Sequence, residues 1–574
     1  MRAGLKITCL AESVMELVES LVRRGLVSEQ QFSHAENSGG DVFATLVQTG
    51  AVSHEDALKA MAEEVGVDYL DLRTAKVDLS LLETFPQKII YRQILFPVSE
   101  SNGTILVATA DPLNFYPLDE ISAAMGLAVE PVLAERSEIA KLIKAHLGVG
   151  GETIDGLIEQ KIEDGVELLS EIQSDGSELS EMAQEASVVR LVNEILLEAI
   201  ESRTSDVHIE SQQDGIVIRY RIDGILHNQP LPPEINHFRA AILSRLKIMA
   251  QLNIAEKRLP QDGRIKIRVK GREVDVRVSV IPMIHGESMV MRILDKGAMV
   301  FELKSLGMSD ETYDEFRKLI SLPHGIILVT GPTGSGKTTT LYSSLIEIND
   351  PKTKIITTED PVEYQLNGIN QIQVHPKIGL TFAHSLRSIL RHDPDVVLVG
   401  EIRDLETAEN AIQASLTGHL VFSTLHTNDA AGAFTRMGDM GVEPFLVAST
   451  VECVMAQRLV RRLCKCRREV QPSRADLPDD FPMELLDGGS IYEPVGCREC
   501  RDVGYRGRLG IYELLVTDNE LRQMAHDRVS TWEIKKAAMA GGMKTLRDDG
   551  WRKVIDGRTS IEEVLRITKG DRRS

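Results

Sequence analysis

Apolar residues recur at two different spacings between residues 187 and 296 of this 574-residue chain. The first stretch repeats them at helical intervals, at Val188, Leu191, Val192, Ile195, Leu196 and Ile200. After it, apolar and polar residues alternate over 206–210, 216–222, 264–269, 273–280 and 288–294. A period near 3.6 indicates an amphipathic helix, and a period of two indicates a strand with one buried face. The pattern predicts a compact α+β domain over 187–296.

Between residues 297 and 460 the predicted strands are short runs that are largely apolar. They cover 326–329, 354–358, 396–399 and 420–424, with helical stretches between them. Such runs are typical of strands buried on both faces of a parallel sheet. We therefore predict an α/β, multidomain chain in which this region is the central core.

Both ends of the chain show mixed or helical patterns. Residues 1–147 carry a helical stripe, a helix opening at Ser53 and Asp56, predicted strands at 90–98 and 104–108, and a helix over 133–147; the stripe is Val14, Leu17, Leu21 and Leu26. This region is predicted to be a small α+β docking domain. Residues 516–574 are predicted to be helices separated at Gly541-Gly542, Gly550 and Gly557.

Residues 148–186 differ from their neighbours in charge. Acidic residues recur throughout this stretch, only Lys161 opposes them, and glycines interrupt it. Like charges repel along a chain and extend it. We predict an acidic flexible linker here, and an acidic partner-binding segment is the alternative.

A glycine-rich loop follows the first of the apolar runs in the core. Residues 325–341 read GIILVTGPTGSGKTTTL, which contains the spacing G-x-x-x-x-G-K-[ST] between a strand and a helix. Glycines let backbone N–H groups approach phosphate oxygens, and the helix start adds partial positive charge. The sequence predicts a nucleotide site at Gly331, Pro332, Thr333, Gly334, Ser335, Gly336, Lys337, Thr338 and Thr339, with Lys337 on the β- and γ-phosphates and Thr338 on Mg²⁺.

Polar side chains follow the other core strands. Glu359 ends one run, Glu401 follows 396–399, and His426 follows 420–424. Sites in open α/β sheets lie at the carboxyl ends of the strands. Glu401 is therefore the candidate for orienting the attacking water, also through Mg²⁺, and a surface glutamate is the alternative. His426 is a candidate γ-phosphate sensor or a structural histidine. Arg387 and Arg391 share one helix face.

Charge and composition narrow the class of protein. The net charge of −21 argues against a nucleic-acid binder, which needs a basic surface. No apolar run approaches the roughly 18 residues of a membrane span. Glu12, Glu16 and Glu19 interrupt the apolar residues of the N-terminus, unlike a signal peptide. We expect a cytoplasmic protein whose membrane contacts go through partners.

Four of the six cysteines lie close together in sequence, at Cys464, Cys466, Cys497 and Cys500. Four thiolates make a closed tetrahedral Zn²⁺ site, so residues 461–515 are predicted to be a zinc-binding subdomain. Four reduced cysteines are the alternative, and the first pair is C-x-C rather than C-x-x-C. The nearby basic run, Arg458, Arg461, Arg462, Lys465, Arg467 and Arg468, is interpreted as a contact to an acidic neighbouring subunit.

With these motifs in hand, the chain resembles the type II/IV secretion ATPase family, most closely its type II secretion assembly ATPases, with pilus-extension ATPases as close relatives. The resemblance covers roughly 187–570. Its motifs are the phosphate loop, EDPVE at 359–363, GEIRD at 400–404, TGH at 417–419, LHTN at 425–428, SDVHIE at 205–210, RYRIDG at 219–224, AEKRLPQDGR at 255–264 and HGE at 285–287.

The resemblance implies a homohexamer, peripheral at the cytoplasmic face of the inner membrane, with ATP between the 187–296 domain and the core. It assigns Glu359 and Glu401 to the γ-phosphate, water and Mg²⁺. It assigns Arg277, Arg292, Arg387 and Arg391 to phosphate or subunit contacts. The expected partners are an inner-membrane platform and a membrane-anchored docking protein. Residues 40–64 only half fit the family's cyclic di-GMP pattern.

Two function classes stay open. The first is an ATPase for type II secretion, or alternatively for pilus extension. The second is a DNA-translocating or conjugation ATPase on the same core. The acidic net charge favours the first class. The long N-terminal region argues against the shorter retraction motors.

Overall fold

The computed structural model describes residues 21–32, 45–46, 49–86, 89–90, 93–111, 114, 116–147, 166–168, 186–295, 301–486 and 488–568. The chain divides into two compact units, 1–293 and 294–574. The predicted positions Val14 and Leu17, the start of the 40–64 stretch and most of the acidic segment lie outside the described residues. In the described part, no helix is both long and apolar enough to cross a membrane.

The first unit begins with a small α+β module. Its three-stranded sheet has the order β1-β2-β3, with β1 antiparallel and β3 parallel to β2; the strands are β1 Phe96–Ser101, β2 Thr104–Thr109 and β3 Ala128–Leu133. Its helices are His54–Val65, Tyr116–Met125 and Arg136–Leu147. Ser53 caps the first helix by accepting from the backbone N–H of Asp56. The strand predicted over 90–98 begins only at Phe96, because a short apolar run does not separate strand from buried helical turn.

The same unit holds a second, seven-stranded sheet of order β4-β8-β9-β10-β5-β6-β7. The strands are β4 Val166–Leu168, β5 Thr204–Gln212, β6 Gly215–Ile222, β7 Ile225–Asn228, β8 Gln261–Val269, β9 Arg272–Met283 and β10 Gly286–Asp295, and the helices are Ala186–Glu201 and Arg239–Met249. The five predicted strands and the first helix are confirmed. The second helix has no apolar stripe in sequence because it is buried all round, and Lys247 pairs with Glu287 at 2.5 Å.

The acidic segment contributes one strand to this sheet. Val166–Leu168 pairs antiparallel with β8, which differs from the predicted flexible linker for these three residues. A sheet edge offers backbone N–H and C=O groups to any chain segment, whatever its side-chain charge.

The second unit is built on another seven-stranded sheet of order β13-β12-β14-β15-β11-β16-β19. Its strands are β11 Gly325–Thr330, β12 Ile355–Glu359, β13 Asn370–Gln373, β14 Val396–Val399, β15 Leu420–Leu425, β16 Val451–Leu463 and β19 Tyr505–Val516. The first six are parallel, and β19 is antiparallel to β16. The predicted α/β core with a parallel sheet is confirmed.

Helices cover the sheet of the second unit and continue into the C-terminal segment. They are Asp310–Leu319, Lys337–Glu347, Phe382–Ile389, Leu405–Leu416, Gly432–Asp439, Pro444–Thr450, Met483–Leu486, Asn519–His526, Thr531–Ala540, Leu546–Ile555 and Ile561–Ile567. The C-terminal helices are confirmed. Gly550 lies inside one of these helices rather than between two. A Cβ at this position would lie 2.7 Å from the Val564 side chain, so glycine is needed there for close packing and not to end a helix.

The sheet crosses the boundaries that composition suggested at 460 and 515. Strand β16 runs on to Leu463, and β19 returns beside it after the cysteine segment. The cysteines therefore lie in an excursion between two neighbouring strands, which also holds the small ladder β17 Arg468–Val470 and β18 Ile491–Glu493.

Candidate functional site

The phosphate loop leaves the carboxyl end of β11 and enters helix Lys337–Glu347. Gly331, Gly334 and Gly336 all have positive φ, at 147°, 79° and 91°. A Cβ on Gly331 would lie 2.6 Å from the carbonyl oxygen of Gln457, and a Cβ on Gly336 would lie 2.8 Å from its side-chain amide. Glycine is therefore required by conformation and by space. The loop and the helix start present backbone N–H groups of the kind that bind phosphate.

Lys337 lies against this loop. Its Nζ donates to the carbonyl oxygens of Gly331 at 2.7 Å and Pro332 at 3.1 Å. Burial lowers the pKa of Lys337 to about 8; the charge of Glu401 opposes this shift and that of Arg458 adds to it. Strand β11, which leads into the loop, lies beside β15, and β15 lies beside β14, so the loop is at the same sheet edge as Glu401 and His426.

Glu401 and His426 meet at the ends of the adjacent strands β14 and β15. Glu401 forms an ion pair with Arg403, and His426 Nε2 lies 3.4 Å from its other carboxylate oxygen. The backbone here is fixed by Thr424, whose hydroxyl donates to the carbonyl of Gly400 at 2.7 Å. The structure thus brings three predicted site groups, Lys337, Glu401 and His426, to one sheet edge.

Glu359 ends β12 and is almost fully buried, at 5% exposure. The hydroxyls of Tyr342 and Thr357 donate to its carboxylate, and so does the side-chain amide of Gln371, at 3.1 Å. A buried carboxylate needs such donors, because an uncompensated charge is costly to bury. Its surroundings are neutral donors, in contrast with those of Glu401.

The four predicted arginines have neighbours within their own units. Arg387 pairs with Glu406, and Arg391 donates to the carbonyl of Arg387 at 2.8 Å. Arg292 donates to Asp206 at 3.0 Å. Arg277, on β9, lies opposite Arg264 on β8. Arg277 and Arg292 belong to the first unit. Their roles toward nucleotide stay a prediction.

Two residues of β16 line the phosphate loop; the sequence analysis did not name Gln457 and named Arg458 only as part of the basic run. Gln457 accepts from the hydroxyl of Thr340 at 2.8 Å. Arg458 donates to the carbonyl of Asn428 at 2.7 Å, and its guanidinium would lie 3.0 Å from a Cβ on Gly331. The only sequence signal is their place at the end of the apolar run that forms β16.

Several arginines of the basic run have contacts within the chain, and the interpretation of the run as a subunit contact stays a prediction. Besides Arg458 at the phosphate loop, Arg461 donates to Glu563 at 2.7 Å, Arg467 donates to the carbonyl of Gly557, and Arg468 donates to Glu493 at 2.8 Å. Burial makes an acceptor necessary for Arg461, whose side chain is 15% exposed, but not for Arg468, whose side chain is 69% exposed.

The C-terminal helices also hold the loop after β15. Lys535 Nζ lies 3.2 Å from Asp429 and 3.6 Å from Glu513. Glu513 is fully buried and accepts from the backbone N–H of Ala430 at 2.8 Å. Strand β19 and the C-terminal helix Thr531–Ala540 thus both contact the loop that begins at His426.

The four cysteines of the excursion converge. Their sulfur atoms all lie within 4.8 Å of one another, with 3.8 Å between Cys464 and Cys497, 3.8 Å between Cys466 and Cys500, and 3.7 Å between Cys497 and Cys500. A tetrahedron with metal–sulfur distances of about 2.3 Å has edges of about 3.8 Å. The C-x-C spacing of the first pair thus allows the geometry of a tetrahedral zinc site.

Backbone N–H groups support the same cluster. Those of Cys497 and Gly504 donate to the Cys500 sulfur at 3.1 and 3.2 Å. Donors to sulfur favour the thiolate form, which is the form that binds metal. The residues present therefore fit a Zn²⁺ ion.

Comparison with protein families assigns both halves of the chain. Residues 181–566 match the family described as "Type II/IV secretion system protein", and residues 65–153 match the "MshEN domain". The second match begins just after the 40–64 stretch.

Curated relatives carry two kinds of name at similar identity. The chain is 42% identical to the type IV pilus assembly ATPase PilB of Myxococcus xanthus, over 97% of this chain and 99% of that protein. It is 44% identical to the type II secretion system protein E of Xanthomonas campestris, over 96% and 98%. It is 50% identical to the type II secretion system ATPase E of Vibrio cholerae, over 70% and 79%.

Proposed function

This chain belongs to the type II/IV secretion system protein family, and on that premise we propose that it hydrolyses ATP to power pseudopilus assembly and protein export by a type II secretion system. The observation that carries the proposal is that the phosphate loop with Lys337 and the carboxylate of Glu401 follow strands of one parallel sheet at the same edge. A phosphate cradle then lies beside a carboxylate that can orient water. Phosphoryl transfer needs this positioning and charge neutralisation more than covalent chemistry.

The residues of the site take the following roles in this proposal. The backbone N–H groups of 331–338 and Lys337 bind the phosphates. The hydroxyl of Thr338 and the carboxylates of Glu359 and Glu401 are the oxygen donors that would hold Mg²⁺, which neutralises phosphate charge when bound. Glu401 orients the attacking water, and His426 beside it senses the γ-phosphate.

The proposal extends to the oligomeric state and to the arginines that act at the nucleotide site. We propose a homohexamer in which Arg277, Arg292, Arg387 and Arg391 contact phosphate or couple subunits. Arginines that reach a γ-phosphate accelerate hydrolysis by about 10³–10⁵ in related systems. The ion pair of Arg387 with Glu406 can exchange for phosphate, since an exposed pair contributes only about 0–1 kcal/mol.

The location and partners follow from the family. We propose that the protein acts at the cytoplasmic face of the inner membrane, on a platform protein there, and that the N-terminal module docks on a membrane-anchored partner. Cyclic di-GMP is a candidate ligand of that module, and titration of the full chain with the dinucleotide tests it.

The deciding experiment replaces Lys337 by Ala in the chromosome. We expect loss of secreted proteins with surface pili intact and with parental levels of the protein. The matched control is Lys352→Ala, an exposed lysine on a neighbouring loop, which should change neither. Normal secretion in the Lys337→Ala strain would contradict the proposal.

Pilus extension is the second candidate, because a relative that is 42% identical over 97% of this chain carries that name. Loss of pili with secretion intact in the Lys337→Ala strain would favour it. A DNA-translocating ATPase is the candidate from another class, and the net charge of −21 argues against it. Stimulation of ATP hydrolysis by DNA would favour it over both.

We further propose that Cys464, Cys466, Cys497 and Cys500 hold one structural Zn²⁺ ion. Metal analysis of the purified protein should find one zinc per chain. Cys466→Ser should lose the metal and lower the unfolding temperature, while Cys453→Ala, a buried cysteine in β16, should keep the metal. The assignment would be contradicted if the purified parent protein contained no zinc and Cys466→Ser unfolded at the same temperature as the parent.

A further inference from the structure

Tyr342 connects the helix after the phosphate loop to the end of strand β12. It is fully buried on helix Lys337–Glu347. Its hydroxyl donates to Oε2 of Glu359 and accepts from the backbone N–H of Glu363 at 3.3 Å. One phenol thus binds both the carboxylate and the loop that follows it.

The other oxygen of Glu359 is held separately. Thr357 and Gln371 both donate to Oε1, so the Tyr342 bond determines how the carboxylate is turned. An ordinary phenol, with a pKa of about 10, is protonated at neutral pH and can donate this hydrogen bond.

The ring of Tyr342 is also in contact with the beginning of the second unit. Its centroid lies 5.6 Å from that of Phe301 and 6.4 Å from that of Tyr364, and Phe301 and Tyr364 are 5.5 Å apart. Phe301 is the first described residue after Asp295 and belongs to the second unit. Displacement of Phe301 would change the packing of the ring that holds Glu359.

We propose that Tyr342 is a positioning residue for ATP hydrolysis, which orients the Glu359 carboxylate through its hydroxyl and is itself held by Phe301. The inference rests on the proposed role of Glu359 toward Mg²⁺ and water. A buried tyrosine usually has a hydrogen-bond partner for stability alone. What distinguishes Tyr342 is that its partner is a carboxylate at the nucleotide edge of the sheet.

The test is Tyr342→Phe in the full-length protein. Residues that hold a site's ligands typically contribute about 10–100-fold in affinity or activity. We expect kcat to fall by about 10–100-fold, with KM for ATP and nucleotide affinity within about twofold of the parent. Phe301→Leu, which leaves the hydroxyl in place, should lower kcat less.

The matched control is Tyr313→Phe. Tyr313 donates to Glu347, the last residue of the same helix, at 3.0 Å on the exposed side. Removing that hydroxyl deletes an equivalent tyrosine–carboxylate bond away from the site, so kcat should stay at the parental value.

A double-mutant cycle separates positioning from a merely structural role. If Tyr342 acts through Glu359, adding Tyr342→Phe to Glu359→Gln should cause no further loss of kcat. The inference would be overturned if the losses of kcat from the two substitutions multiplied. It would also be overturned if Glu359→Gln were inactive while the kcat of Tyr342→Phe stayed within twofold of the parent. Unchanged turnover in Glu359→Gln alone would instead overturn the proposed role of Glu359, and this inference with it.

Discussion

Glu359 and Glu401 follow neighbouring strands of one sheet, yet their side chains lie in different surroundings. Glu401 pairs with the charged Arg403 and lies 3.4 Å from His426, whose side chain is half exposed. Glu359 is buried among three neutral donors, Tyr342, Thr357 and Gln371. The same pattern in sequence, an acid after a buried strand, thus produces one carboxylate open to charged ligands and one fixed in place.

The difference follows from what each strand end meets. Glu401 faces Lys337 and contributes to its charge state, whereas Glu359 meets the helix that begins with Lys337 from within the core. Environment rather than residue type sets the role of a carboxylate, as in sites that use two acids differently. Glu401 is therefore suited to orient water, and Glu359 to hold a fixed position beside it.

The largest expected effect is on kcat, and it distinguishes the chemical role of Glu401 from that of Glu359. Glu401→Gln should lower kcat by about 10²–10⁴, because an amide is a poor acceptor for the proton of the attacking water. ATP affinity should stay within a few-fold of the parent. Single-turnover hydrolysis and nucleotide titration measure the two quantities. Turnover at the parental rate would move the water-orienting role to Glu359.

The next effect is on the pH dependence of ATP affinity, which distinguishes Glu401 from Glu359 through the pKa of Lys337. Lys337, with a pKa of about 8, is charged below that pH and loses its proton above it, so ATP affinity should fall by about tenfold per unit above pH 8. Glu401 raises this pKa, so in Glu401→Gln the fall should begin at lower pH. Glu359→Gln is the control, with the parental onset. Affinity independent of pH between 7 and 9.5 would contradict this.

A smaller effect is on the free energy of unfolding, which should differ between the Glu359→Gln and Glu401→Gln variants. Glu359→Gln puts an NH₂ group where a buried carboxylate accepts hydrogen bonds, and should cost about 1–3 kcal/mol in unfolding free energy. Glu401→Gln should cost less, because the amide oxygen that it keeps can still accept from the exposed Arg403. Denaturant unfolding without nucleotide measures both. Equal losses would mean that the two environments are energetically alike.

The smallest effect concerns the partner of Glu401. Arg403→Ala removes an ion pair whose arginine side chain is 68% exposed, so the unfolding free energy should change by less than about 1 kcal/mol. We expect kcat to change by less than about threefold on the same ground. Arg403→Lys keeps the charge and should match the parent. A loss of kcat as large as that of Glu401→Gln would place Arg403 on the substrate.

Local patterns alone were sufficient for much of this protein. The apolar runs identified β11, β14 and β15, and the glycine spacing identified the phosphate loop, because strand burial and the glycine conformations are encoded in short windows. Glu401 and His426 were predicted for the same reason, since the carboxyl ends of parallel strands share an edge. The four cysteines were also predicted as a cluster, and their sulfur atoms converge.

Only the tertiary structure decided which distant residues complete these sites. Thr340 and Gln457 are 117 residues apart, and Ala430 and Glu513 are 83 apart. The placement of β19 beside β16 and the bond from Tyr342 to Glu359 are of the same kind. A periodic pattern states which face of an element is buried but carries no information about its partner. That choice is made by packing across the whole sheet, where buried polar groups must find one another.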